Sequence, residues 1–396
     1  MTKRFGSPAS YKVIERLEGA GYEAVFVGGA VRDYILGQQA KDIDIATSAE
    51  PAEVKTVFSN TVDVGIAHGT VLVIMDKEPI EVTTFRTEGT YSDSRRPDEV
   101  NFVKTLREDL LRRDFTMNAL AMTKTRELID LFGGRADMAK KLIRAVGMPI
   151  ERFQEDALRM VRAIRFSSTL DFAIEQATLD AIQENAERIK HVSIERVKIE
   201  MDKLFTGMNP GKAFHYLKIS GLGTKLPLFP VETKGLEQSI PFVTALEGWA
   251  FLMIAGNFTP SELSRAYKLS NDEQRFITAV HQAYQIRAEQ PFSTDEYYVF
   301  EVAVLKTTEK FYRSVFPFSS TVTDEELTER KKALPIQSMQ DLAVNGKDLI
   351  SWAGIKGGRW TGEWIGKIEY AVLHEQCENN PNKIREWFIH DFKSKK

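Results

Sequence analysis

The chain has 396 residues, with 53 lysines and arginines against 56 aspartates and glutamates, a formal net charge of −3 that is not the global signature of a nucleic-acid binder. Its 43% apolar and 28% charged residues are those of a globular protein with room for on the order of two to four structural units, and no run reaches the roughly 18 apolar residues of a membrane span. A single cysteine, Cys377, excludes an intramolecular disulfide, the six scattered histidines form no zinc-type cluster, and the N-terminus lacks a signal-peptide core, so a cytoplasmic protein is expected.

Residues 8–20 read as a helix ended by Gly21. The apolar run Ala24-Val25-Phe26-Val27 reads as a strand over 23–28 that enters the pair Gly28-Gly29, and residues 30–36 read as a short helix closed by Gly37. Arg32 then falls in a first helical turn, where anions are favoured. A second strand over 41–46 carries Asp42 and Asp44, which at i and i+2 project to one face while Ile43 and Ile45 point into a core. Two such carboxylates suit two divalent cations held roughly 3.5–4 Å apart over a phosphate undergoing in-line displacement. An isolated Asp-x-Asp also suits a solvated turn; the strand, glycine turn, helix and acidic strand in succession favour a site for nucleoside triphosphate.

Ser48 is the expected N-cap of a helix with Pro51 in its first turn. His68-Gly69-Thr70 introduces a strand over 71–75, Asp76-Lys77-Glu78-Pro79 a turn, and residues 80–85 the hairpin partner. Glu81 on that partner is either a third metal carboxylate or an exposed strand glutamate. Residues 86–99, with Gly89 and Arg95-Arg96-Pro97, read as a loop, which composition allows to be either a mobile element beside the site or inert surface. A charged helix over 106–113 ends in Arg112-Arg113-Asp114-Phe115-Thr116-Met117-Asn118-Ala119, and Leu128 to Gly134 closes the unit. Beyond about residue 142 helical periodicity dominates, so the expected class is α+β: a mixed sheet with helices, then an all-helical remainder.

The segment 155–166 places arginines at 159, 162 and 165 against an apolar stripe at 157, 160, 161 and 164. Asp156 and Arg159, read as i,i+3 neighbours on one helix, fit a simple surface ion pair. They also fit a sharper role. Cytosine and adenine present an amino donor beside a ring-nitrogen acceptor, guanine and uracil the reverse, so an acceptor next to a donor would take C and A and reject G and U. Arg162 and Arg165, with Arg113 and Arg32, would hold a triphosphate as fork-like donors.

Taken together, Gly-Gly-x-Val-Arg-Asp, Asp-x-Asp, Arg-Arg-Asp-Phe-Thr-x-Asn-Ala, Glu-Asp-x-x-Arg and Glu195-Arg-x-x-x-Glu200 resemble class II, bacterial-type CCA-adding enzymes, tRNA nucleotidyltransferases of the DNA polymerase β-like superfamily. The motifs run in the family's order over about residues 25–200, and the tail around Val344–Leu349 and Trp360–Gly362 resembles the Bacillus-like branch more weakly. The resemblance implies a polymerase β-like head over 1–141, a helical neck over 142–206 for base recognition, a helical body over 207–300 and a helical tail over 301–396 that binds tRNA. It implies addition of CCA to the tRNA 3′ end from CTP and ATP, with two Mg²⁺ ions on Asp42 and Asp44. Gly29, Arg32, Arg113, Asn118, Arg162 and Arg165 fall on nucleotide-contacting positions, Asp156 and Arg159 on the protein template, and Glu195, Arg196 and Glu200 on a structural brace. It leaves room for a homodimer.

The lone pair His390-Asp391 has no partner histidines, so the phosphohydrolase domain of some relatives is not expected. Lys356, Arg359 and Trp360 read as a capped helix start. Poly(A) polymerase, CC-only and A-only tRNA enzymes share the head and neck motifs and stand as alternatives, and a non-catalytic RNA-binding protein on a polymerase-like head stands further off.

Overall fold

The computed structural model describes residues 5–40, 42–65, 68–88, 100–230, 232–233 and 235–394. The first compact unit comprises residues 1–232, 240–248 and 265–268, and the second comprises 233–239, 249–264 and 269–396. The mixed sheet and the arginine-bearing helices belong to the same first unit.

That unit opens with helix α1 (Pro8–Gly19), strand β1 (Ala24–Val27), α2 (Gly29–Ile35), β2 (Asp44–Thr47) and α3 (Pro51–Val57). Strands β3 (Thr61–Gly65), β4 (Thr70–Met75), β5 (Glu78–Thr84), β6 (Arg86–Glu88) and β7 (Val100–Phe102) follow, then α4 (Leu106–Leu111), β8 (Leu120–Met122), β9 (Leu128–Asp130) and α5 (Gly134–Ala139). The seven-stranded sheet has the order β3-β4-β5-β2-β1-β8-β9. β2 and β5 pair in parallel; the other neighbours are antiparallel. β1 is buried along its whole length, as its unbroken apolar run requires of a central strand. Val25, Val27, Ala46 and Phe85 join Leu106 and Leu110 in one core.

Several expectations shift by local chemistry. The turn after β4 is only Asp76-Lys77, both at positive φ (51° and 68°), so Glu78 and Pro79 are already in the returning strand. Ser48 does not cap α3: its hydroxyl accepts the Glu23 N–H (2.9 Å), while Glu50 takes the cap position and its N–H donates to Glu53 Oε2 at 2.7 Å. β2 begins at Asp44 instead of residue 41, because its ladder partner β1 stops at Val27, opposite Asp44. Most of the loop expected at 86–99 lies outside the described residues; β6 and β7 pair as the stem that flanks it.

A short parallel pair, β10 (Leu142–Ile143) and β11 (Ala173–Ile174), brackets α6 (Pro149–Glu155) and α7 (Leu158–Thr169); α8 (Gln176–Asn185), α9 (Ile194–Phe205) and α10 (Pro210–Ile219) complete this part. α7 packs on α9 and α10, and its Met160, Val161 and Ile164 are fully buried. Helices α11 (Ala245–Gly256) and α12 (Pro260–Tyr267) run across the division between the units. The second unit holds α13 (Asn271–Glu289), α14 (Thr294–Val299), α15 (Val302–Val315), α16 (Asp324–Lys332), α17 (Gly346–Ala353), α18 (Arg359–Leu373) and α19 (Pro381–Ser394), with no strand among its described residues. Its core gathers Trp364, Ile368, Ile384 and Phe388. α18 does start at Arg359, where Trp360 Nε1 donates to the Lys356 carbonyl (3.0 Å) and Arg359 pairs with Glu363 (3.1 Å).

Candidate active site

The acidic corner is built where β1 ends. Gly28 takes φ +73°, so the turn calls for glycine, and a Cβ at that position would lie 3.0 Å from Arg113 Nη1. Asp44, the first residue of β2, lies between Val27 on one neighbouring strand and Glu81 on the other. Burial, the facing Glu81 and then Asp42 push the Asp44 carboxyl up to about 6, with Arg113 pulling the other way. Asp42 is not on the strand. It is exposed in the bend before it, and Ile43 is only half-buried, whereas Ile45 is fully in the core.

A divalent cation fits this corner on its donor chemistry. Glu81 and Asp42 stand close enough to raise the proton affinity of Asp44, which is the repulsion a bound cation relieves. No three His, Cys, Asp or Glu ligands among the described residues already converge as a metal cage.

Facing the acids is a wall of arginines joined in a continuous chain of ion pairs and hydrogen bonds. Arg32 Nε and Nη2 donate to Asp33 (2.8 and 2.7 Å) and its Nη1 to Asn118 Oδ1 (2.7 Å). Asn118 Nδ2 donates to Asp114 Oδ1 (2.9 Å), and Asp114 Oδ2 accepts from Arg162 Nε and Nη2 (2.9 and 2.6 Å). Arg162 Nη1 reaches Glu200 Oε1 (3.4 Å), and Glu200 Oε2 accepts from Arg165 Nε (2.8 Å). Burial works to raise the Asp114 carboxyl, but the Arg162 guanidinium and the Asn118 hydrogen bond prevail and hold it down at about 2. The Phe166 ring takes three guanidiniums: Arg165 at 3.4 Å from its centroid, Arg32 at 5.1 Å and Arg162 at 5.7 Å. Arg113 donates to Asp109 (3.0 Å) and, at 3.5 Å, to the Asn118 carbonyl; its Nε is buried with no hydrogen-bond partner among the described residues.

The expected continuous helix through Asp156 and Arg159 is broken. Asp156 has extended backbone (φ −138°, ψ 104°) between α6 and α7, and its Oδ1 accepts the Leu158 N–H (3.0 Å) at the start of α7. Its Oδ2 accepts from Arg196 (2.7 Å). Arg159 is held by Glu155 Oε2 (2.7 Å) and by the carbonyls of Arg152 (3.3 Å) and Arg112 (2.9 Å). The brace is also redistributed. Glu200 is buried under the arginines, Glu195 is exposed and pairs with Lys268 (2.5 Å), and Arg196 reaches the Asp156 carboxylate.

These groups line one cleft of about 490 Å³. Of the residues singled out from sequence, Gly29, Arg32, Asp44, Arg113, Asn118, Asp156, Arg159 and Arg162 wall it; Asp42 and Arg165 do not. Arg165 is 8% exposed, sandwiched by Phe166 and Glu200, so its guanidinium faces the scaffold. Sequence reading missed Asp114, Arg112, Arg196 and Phe166 as wall residues, although the first three lie inside the quoted motifs. His68 and Arg86, whose guanidinium donates to the His68 carbonyl, also wall the cleft and carry no local sequence signal.

Fold and cleft define a nucleotidyltransferase. Residues 24–144 match the family model of the poly A polymerase head domain, 171–230 that of a probable RNA- and SrmB-binding site of polymerase A, and 241–388 that of a putative tRNA nucleotidyltransferase domain 2. The CCA-adding enzyme of Bacillus cereus (strain B4264) is 41% identical over 391 residues, 97% of this chain and 98% of the relative; that of Bacillus anthracis (strain A0248) is 42% identical over the same shares. The crystal structure of the Bacillus stearothermophilus CCA-adding enzyme in complex with CTP superposes with a TM-score of 0.83 at 36% identity, covering 98% of this chain and 99% of that one. The Thermotoga maritima CCA-adding enzyme shares the fold at 21% identity, with a TM-score of 0.68 over 98% and 97% of the two chains. The chain belongs to the CCA-adding enzyme family and is a tRNA nucleotidyltransferase. Members of such families depend on a divalent metal. No described helix is long and apolar enough to cross a membrane.

Proposed function

We propose that this chain completes the CCA end of tRNA in the cytoplasm, using CTP and ATP in one cleft. The observation that carries this reading is the meeting of an under-neutralised carboxylate, Asp44, with a guanidinium wall and the Asp156/Arg159 corner around one 490 Å³ space. The relative solved with CTP supports it. In the reaction the tRNA 3′-hydroxyl gives up its proton to solvent and its oxygen bonds to the α-phosphorus, while the bond from that phosphorus to the α,β-bridging oxygen breaks and pyrophosphate leaves with that oxygen. Two Mg²⁺ ions held by Asp42 and Asp44, with Glu81 beside them, would supply Lewis-acid polarisation of the phosphoryl group.

The chain's own groups do the rest. Arg32 and Arg113 stand at the glycine turn, where fork-like donors and the Gly29 backbone would take the triphosphate oxygens. Asn118 holds Arg32 at that position, and Arg162 presents a second fork from α7. Asp156 and Arg159 read the base edge: the carboxylate accepts an amino proton and the guanidinium donates to a ring nitrogen, the pattern shared by C and A. Arg196 and Glu155 fix the two readers, so a mismatched base leaves desolvated groups unpaired.

The test is nucleotide addition to tRNAs ending before CCA, after C and after CC, with Mg²⁺ and CTP, ATP or both, followed by sequencing of the product ends. Completion from all three, stopping after one A, is the expected outcome. CC-only or A-only products would assign a split pathway, long A tails a poly(A) polymerase, and no addition a binding protein.

A further inference from the structure

Asp109 is an anomaly on α4. It sits between Leu106 and Leu110 on a core-facing stretch and is 1% exposed, where an apolar side chain would be expected. A buried carboxylate persists only if its oxygens are fully met by donors, and here all the donors come from arginines. Oδ1 accepts from Arg112 Nε (3.0 Å) and Nη2 (2.7 Å) and from the Arg86 backbone N–H (3.4 Å); Oδ2 accepts from Arg113 Nη2 (3.0 Å). Arg86, Arg112 and Arg113 all wall the cleft, whereas Asp109 does not.

We infer that Asp109 is a positioning residue for phosphate binding, clamping Arg112 and Arg113 side by side at the cleft and tying the β6 end of the β6–β7 stem to the same point. Two adjacent guanidiniums repel each other, and each long side chain loses rotamer freedom when held in one geometry. One buried anion offsets both effects in advance, so the ligand meets donors already aimed. The clamp leaves Arg113 Nη1 at the Gly28 turn and its buried Nε without a partner, and it fixes the Arg112 carbonyl on which Arg159 leans. Asp109 lies outside every motif quoted above; its signal is a lone acid on the apolar face of a short helix just before two arginines.

The inference rests on the reading that the cleft takes a nucleoside triphosphate, and equilibrium binding separates the two. Cytidine triphosphate and cytidine monophosphate are titrated into wild-type protein and Asp109→Asn with Mg²⁺ present. Wild-type protein that binds neither nucleotide would refute the reading itself, and the inference with it. With wild-type binding established, Asp109→Asn should weaken CTP roughly tenfold or more while leaving CMP within about twofold, and KM for CTP should rise more than kcat falls. A merely structural role would weaken both nucleotides in proportion and overturn the inference, as would unchanged or tighter CTP binding. Glu309→Gln, which breaks the fully buried Arg287–Glu309 pair of the second unit, serves as a control for general loss of stability. If Asp109 acts through Arg113, Asp109→Asn adds little to the CTP defect of Arg113→Ala; additive losses contradict it. Should Asp109→Asn not fold, Arg113→Lys, which keeps the charge and loses the fork held by Asp109, should show the same selective loss of CTP over CMP, and equal loss of both would contradict the clamp.

Discussion

The two faces of the cleft treat charge in opposite ways. On the sheet side, Asp44 stands by Glu81 and Asp42 with its carboxyl pushed up to about 6, so repulsion is left standing in the protein alone. On the helical side, Asp114 is deeper still yet held at about 2, because Arg162 and Asn118 meet its oxygens. Depth of burial therefore does not decide the state of a carboxylate; its partners do. An acid left short of cations is poised for one from solution, and an acid fully met is part of the frame.

The sharpest way to break this comparison is to remove the unmet acid. Asp44→Ala should lower nucleotide incorporation by about 10³-fold or more while tRNA binding is retained, and Asp42→Ala should act in the same direction. Near-wild-type rates in Asp44→Ala would end the metal assignment. Removing Mg²⁺ with a chelator should silence wild-type protein, with restoration on re-addition.

Breaking the met acid should instead cost stability. Asp114→Asn leaves Arg162 under-compensated and should destabilise the first unit by about 3 kcal/mol or more, read from urea unfolding. A midpoint unchanged from wild type would show that the network is dispensable. Asp156→Ala acts at neither acid. It should relax selection among the four nucleotides more than it weakens triphosphate binding, and an unaltered incorporation pattern would remove the template role.

The smallest effect is in pH. Without metal, the folded Asp44 keeps a proton that the unfolded chain has lost between pH 3.8 and about 6, so its contribution to stability falls as pH rises through that window. Asp114 has the opposite sign: its contribution is present above 3.8 and is lost as pH falls towards about 2. Asp44→Asn should flatten the first slope and leave the second, and Mg²⁺ should offset the first only. Incorporation at limiting Mg²⁺ should weaken below about pH 6, where a proton competes with the metal for Asp44, and excess Mg²⁺ should move that fall to lower pH.

Much of this was legible in the chain because glycines, strand alternation and motif order are local signals. Gly28-Gly29, the Val71–Met75 hairpin and the α+β division follow directly from such patterns. What stayed hidden is set by distant partners. That Asp42 lies off the strand depends on where β1 stops. That Arg165 faces the frame depends on Glu200, thirty-five residues away. The helix break at Asp156 comes from its side chain taking the Leu158 N–H, an alternative to helical continuation that periodicity does not reveal. His68 and Arg86 enter the cleft only through the tertiary fold.

The register of the central strands also fixes an order of assembly. β1 pairs with β2 across about twenty residues, β2 with β5 across thirty-seven, and β1 with β8 across ninety-six. Contacts so distant in sequence form late, because closing long loops must precede any gain from pairing. A chain emerging from the ribosome carries every acid of the corner once residue 81 is out, yet Arg113 comes thirty-two residues later and the Arg162–Glu200 link waits for α9. The growing polypeptide thus holds Arg32 and its carboxylates long before it holds Arg113, Arg159 and Arg162, and on the proposed function grip on triphosphate should arise only once those later guanidiniums are made.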